Sequence, residues 1–150
     1  MLFDKRTTFA EDTAIGGSTG RRLIGDVIDL GNARDIGVSD IWLYVLLSVA
    51  ATSGGSATLQ LELASDAQAA IATDASATVH LTSPSFALAA LTAGKQLMAT
   101  KLPLEVDGWP YERYLGLLGN VGTAALTAGS VTAFLTFHPP VRKIYPNHAQ

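Results

Sequence analysis

The segment Thr58-Leu59-Gln60-Leu61-Glu62-Leu63 alternates apolar and polar side chains without a break. Only an extended strand puts three such leucines on one face, because successive side chains there point to opposite sides of the backbone. A helix would scatter them around its circumference, so this segment commits the chain to a sheet with one buried face. Ser130 to Phe137 is rich in β-branched and aromatic residues and reads the same way. Ile41 to Val49 is a nearly continuous apolar run carrying Trp42, Tyr44, Val45 and Val49. A buried helix is the rival there, but the Gly54-Gly55 turn and the hairpin-like spacing to Thr58 favour a strand buried on both faces.

Weaker strands are expected at Thr7–Ala10, Leu23–Leu30, Ala77–Thr82, Gln96–Leu102 and Glu112–Leu118, with turn chemistry between them at Gly16–Gly20, Gly31-Asn32, Ser53–Ser56, Asp107-Gly108 and Gly119-Asn120. About eight short strands with no long helical period predict an all-β, antiparallel sandwich or barrel. Two segments carry helical signals and are candidates for very short helices over a sheet edge. Ser65 precedes Asp66-Ala67-Gln68-Ala69-Ala70-Ile71 as an N-cap would, and Ser83-Pro84 leads into Phe86 to Leu91 with Gly94 as a stop. The echo of Leu91-Thr92-Ala93-Gly94 in Leu126-Thr127-Ala128-Gly129 is read as shared turn chemistry before a strand.

At 150 residues the chain makes one domain, residues 1–150, with an N-terminal arm (1–15) and a Pro-containing tail (138–150). Charged residues are only 15% and the net charge is −3, with the cations scattered. A phosphate-tracking groove needs a clustered basic face, so no nucleic acid is expected as partner. With no cysteine, disulfides and thiolate chemistry are excluded and any assembly is non-covalent as far as sulfur is concerned. The apolar run from Ile41 to Ala51 is too short to cross a bilayer, and Met1 to Arg6 turns polar too early for a signal peptide. No membrane partner is expected, and synthesis is expected in a cytoplasm.

Catalytic signatures are missing where they would be sought. His80, His138 and His148 lie at no metal-gripping spacing. Gly16 to Arg22 lacks the Gly-Lys-Ser/Thr of a phosphate loop and runs into a strand, and no serine sits in a Gly-x-Ser-x-Gly elbow. Asp26, Asp29, Asp35 and Asp40 match no calcium loop and are read as turn residues accepting local backbone hydrogen bonds. The expectation is a protein that is no enzyme and has no cofactor or metal. Among the aromatics, Trp42 and Tyr44 read as core. Trp109-Pro110-Tyr111, at a loop-to-strand junction, is the better candidate for an exposed contact.

One ordered set of features carries a resemblance. An arm with Phe3-Asp4-Lys5 leads to Val27-Ile28-Asp29-Leu30-Gly31 and Arg34-Asp35-Ile36-Gly37. An apolar strand, a Gly-Gly-Ser turn and Ala57 to Asp66 follow; then Leu91 to Lys95, Lys101-Leu102-Pro103, Arg113 to Leu117 and the last strand. In this order the chain resembles the capsid cement (decoration) proteins of tailed bacteriophages, in particular the jelly-roll cement family typified in Bordetella phages. The resemblance implies a jelly-roll sandwich on the exterior of the virion that clamps neighbouring major capsid proteins, performs no reaction, and associates with itself as a homodimer or homotrimer. Candidate capsid or subunit contacts are Phe3 and Phe9 in the arm, Trp109 and Tyr111, and the tail residues Arg142, Lys143, Ile144 and Tyr145. In the tail, prolines favour an extended path, the apolar pair anchors, and the cations face acidic rim residues.

Two other readings compete. A carbohydrate-binding jelly-roll module, used for virion adhesion to a host surface, would stack sugars on Trp109, Tyr111 and Tyr114. A cupin-type enzyme is disfavoured because the three histidines lack that fold's clustered spacing.

Overall fold

The structure, a computed structural model, describes residues 4–105 and 110–139. Among these, nine strands follow one another as β1 (Thr8–Ala14), β2 (Gly20–Asp29), β3 (Trp42–Ser53), β4 (Thr58–Asp66), β5 (Thr78–Thr82), β6 (Phe86–Ala87), β7 (Gln96–Lys101), β8 (Tyr114–Gly122) and β9 (Leu126–Thr136). Two 3-10 turns, Lys5–Thr7 and Leu88–Ala90, accompany them.

The strands form two antiparallel sheets, ordered β1-β9-β3-β7 and β2-β8-β4-β5, with β6 extending the second along β4. The pairing follows one rule. β4 pairs with β5, β3 with β7, β2 with β8 and β1 with β9, so the chain is one long antiparallel ladder about the β4–β5 connection. Rolling that ladder brings β9 against β3 and β8 against β4 and closes the two sheets. This is a jelly roll, as expected of about eight strands; the ninth is the two-residue β6.

The core lies between the inner faces. Leu59, Leu61 and Leu63 are all wholly buried there, facing Leu43, Val45 and Leu47 of β3 and Val131 and Ala133 of β9. Leu115, Leu117 and Val121 of β8 and Ile24 and Ile28 of β2 complete it. On the flank formed by β1 and β2 the sheets approach closely at Gly25. Its φ of +69° is a left-handed conformation, and a Cβ there would overlap the Phe9 carbonyl oxygen. The β2–β8 register slips at the same place, between Ile24 and Ile28, as a bulge would make it.

Four expectations are corrected. Ser65 does not cap a helix; it continues β4, and residues 67–77 form bends without helical hydrogen bonding. Asp66 is what prevents the helix, for its carboxylate takes the N–H groups of Gln68 (3.0 Å) and Ala72 (3.0 Å) and ties the backbone into a turn. Pro84 starts no helix either: Phe86-Ala87 pairs with β4, which leaves room for one 3-10 turn only. Phe9 is no surface contact. It is 1% exposed in the core, because Thr8–Ala14 is not a loose arm but an edge strand paired with β9. Finally, the polar face of β4 is not solvated: Glu62 is 5% exposed and faces Arg21.

Candidate interaction surface

The topology sorts the connections to the two ends of the sandwich. β1, β3, β5 and β8 start, and β2, β4, β7 and β9 finish, at one end, as the pairs Asp29↔Tyr114, Asp66↔Tyr114, Trp42↔Lys101 and Trp42↔Thr136 show. This loop end therefore gathers the long segments 30–41 and 67–77 and the described stretches 102–105 and 110–113, together with the first and last described residues. The opposite end holds the short connections 14–20, 53–58 and 122–129 and the 86–94 segment. Those four stretches contain no Asp, Glu, Lys, Arg or His. A shallow groove of about 500 Å3 there is lined by small and apolar residues, including Ala57, Ala87, Leu88 and Ala89.

At the loop end, charges and exposed apolar side chains are interleaved. Val38 (72% exposed), Leu104 (61%) and Phe137 (61%) are three of the four large exposed hydrophobics among the described residues; the fourth is Val49. Val38 and Leu104 belong to segments that touch, since Gly37 lies directly against Pro103 and Leu104. Asp35 fastens them: its Oδ1 accepts the N–H of Gly37 (2.9 Å) and of Glu105 (3.1 Å). Phe137 follows Thr136, which pairs with Trp42, and Asp40 and Lys101 form an exposed ion pair beside it (2.8 Å). Arg113 binds Asp29 through two hydrogen bonds of 2.9 Å and lies over the Tyr114 ring. The guanidinium, with the Gly31 amide, holds the Asp29 carboxyl down at about 2.

The stretches 102–105 and 110–113 are pinned from inside. The Tyr111 hydroxyl donates to the Pro103 carbonyl (2.7 Å), and its ring stacks on His80 with centroids 3.9 Å apart. His80 is the extra residue where the β4–β5 register slips between Leu63↔Leu81 and Ala64↔Val79. Its Nε2 lies 2.7 Å from Ser65 Oγ, which also accepts the Glu112 N–H (3.0 Å). Burial lowers the His80 pKa to about 4, so the imidazole is neutral at pH 7 and its Nε2 can accept the Ser65 proton. Burial, and the nearby Asp35 charge, raise that of Tyr111, which remains a donor. Ser65 and His80 have the spacing of a nucleophile and its base. Yet Ser65 is wholly buried and its oxygen is engaged by the Glu112 amide, so the pair serves as a clasp for the 110–113 stretch.

The sequence candidates divide accordingly. Tyr111, expected as an exposed contact and as a sugar-stacking ring, is wholly buried between His80 and Pro103; the hydroxyl satisfied by a backbone carbonyl is what lets the ring enter. Tyr114 is half-buried beneath Arg113. The sugar platform thus loses the free face of Tyr111. Phe3, Trp109, Arg142, Lys143, Ile144 and Tyr145 lie outside the described residues. Val38, Leu104 and Phe137 were not singled out by sequence reasoning. None stands in an apolar run that period or turn chemistry would mark as a surface contact, and only the convergence of the 30–41 and 102–105 segments brings the stretches carrying Val38 and Leu104 together. Among the described residues, no group of three or more His, Asp or Glu is placed to hold a metal ion, and no helix is long and apolar enough to cross a membrane.

Comparison with known proteins yields one family. The family model Bbp16 matches residues 12–135, which take in all of β2 to β8, the last three residues of β1 and all of β9 but Thr136. No curated protein matches the chain at a significant level.

Proposed function

The chain belongs to Bbp16, a Bordetella phage protein family, and from this premise we propose that it is a structural virion protein: a non-covalent cement protein that binds the outer surface of an icosahedral capsid and clamps neighbouring major capsid proteins. Family membership across nearly the whole sandwich is the observation that carries the reading. The fold supports it physically. A jelly roll with a continuous core is a rigid body, and a rigid body that touches two subunits converts modest single contacts into tight attachment through effective concentration. The loop end has the mix an interface uses, with apolar Val38, Leu104 and Phe137 among charged rim groups. From that end the chain also continues toward the tail residues Arg142, Lys143, Ile144 and Tyr145. Self-association into dimers or trimers would multiply the contacts further. No nucleic acid, membrane or cofactor has a part in this reading.

Two measurements test it. Mass spectrometry of purified virions is expected to find the chain in hundreds of copies, and purified protein is expected to co-sediment with undecorated capsids. Absence from virions, or capsids that leave the protein in the supernatant, would end the reading.

A further inference from the structure

The outer face of the sheet formed by β2, β8 and β4 is covered by residues 67–77, and by very little of them. Ile71 (5% exposed) and Ala77 (9%) are its buried residues, with Ala72 half-buried; residues 67–70 and 73–76 are exposed. Beneath Ile71 lie Leu23 and Val27 of β2, Leu118 and Tyr114 of β8, Ala64 of β4 and Val79 of β5, a cluster that shares no member with the core between the sheets. Gly116 is the socket: a Cβ on it would come within 2.8 Å of Ile71 Cγ1 and 2.9 Å of Leu23 Cδ1.

The backbone is held just as lightly. Gln68 and Ala72 donate to the Asp66 carboxylate, Ile71 to Ala69 and Ser76 to Asp74. All these bonds stay within 66–76, so among the described residues no backbone amide of 67–76 is bonded to the sheet it covers. Ala75 has a φ of +76°, a left-handed conformation that disfavours any residue with a Cβ. Neighbouring β4 and β8, by contrast, pair without a register break from Thr58↔Gly122 to Asp66↔Tyr114.

We propose that residues 67–76 form a strap that opens as a unit, lifting Ile71 out of the Gly116 socket while the sandwich stays folded. Asp66 is its hinge, since its backbone remains in the β4–β8 ladder while its carboxylate organises the strap. Opening breaks no rung of either sheet and removes one large side chain from its site. It uncovers a contiguous apolar face made of Leu23, Val27, Ala64, Val79 and Leu118. This inference does not depend on the cement reading.

Amide hydrogen exchange on the full chain tests it. Gln68 and Ala72 are expected to exchange at least about tenfold faster than Leu61 and Leu117, as local opening requires. Ile71→Ala should speed Gln68 and Ala72 by at least a further tenfold or so, leave Leu117 within about twofold, and increase binding of an apolar fluorescent dye. Gly116→Ala, which pushes a methyl into Ile71 from below, should act in the same direction. A single common exchange rate for Ala72 and Leu117 in the unmodified protein would show that the strap opens only with global unfolding, and the proposal would fall whatever the variants do. It would fall equally if Ile71→Ala left the exchange of Ala72 unchanged.

Discussion

Leu61 and Gln60 are adjacent in sequence and opposite in consequence. Leu61 is wholly buried between the sheets, so Leu61→Ala should cost roughly 2–5 kcal/mol, the usual result of emptying a leucine site. Gln60 lies on the other face and donates to the Ser83 carbonyl (3.1 Å), so Gln60→Ala should cost only about 1 kcal/mol, one exchanged hydrogen bond. Urea denaturation of both variants checks the face assignment, and equal losses would refute it. His80 gives the fold a pH dependence. Burial depresses its pKa from 6.5 to about 4, so the unfolded chain takes up a proton between these values and the folded one does not. Stability is therefore full above about pH 6.5 and falls as the pH drops toward 4. Asp29 adds a second loss below its ordinary 3.8, as its Arg113-bound carboxylate is protonated near 2. Melting temperatures measured from pH 7 to 4 should decline in the native chain and decline less in His80→Gln.

At the scale of elements, the β1–β2 flank is the place where backbone geometry tolerates least. Gly25→Ala meets both an unfavourable φ and the Phe9 carbonyl, a backbone atom that cannot rotate away. We expect a loss of at least about 2–3 kcal/mol and, because β1 is an edge strand, faster amide exchange in β1 than in β3. Thermal melts with residue-resolved exchange would show whether the loss is confined to that flank. Ser130–Phe137 was legible as a strand because β-branched and aromatic residues dominate it; β9 occupies Leu126–Thr136. Residues 65–71 were not, because helix propensity is a local preference and the Asp66 carboxylate and β4 pairing outweigh it. The bulge at His80 left no mark in the sequence. A register slip depends on two strands together, and only its partner β4 reveals it.

The whole molecule is polarised, with one end of short turns whose own residues carry no charge, Arg22 reaching from β2 into the 14–20 turn, and a loop end where charges and exposed hydrophobics mingle. Deleting residues 139–150 should leave the melting temperature nearly unchanged, since both sheets are complete by Thr136, yet weaken co-sedimentation with undecorated capsids. A truncated chain that binds capsids as well as the full one would make the tail a bystander. Analytical ultracentrifugation should find dimers or trimers at high concentration; a strict monomer of 15.7 kDa would count against self-association.

Alternation at Thr58–Leu63, apolar runs and glycine-rich turns determined by themselves that the chain is all-β, where most strands lie, and which face of β4 enters the core. These are local properties, carried by period and turn chemistry within a few residues. The tertiary structure alone decided what covers the outer face of the second sheet, that Phe9 and Tyr111 are interior, and that Val38 and Leu104 are neighbours. Burial of a side chain depends on what the rest of the chain brings to it. Phe9 needed β9 and β2, Tyr111 needed a bulged histidine and the Pro103 carbonyl, and Glu62 needed Arg21 from another strand.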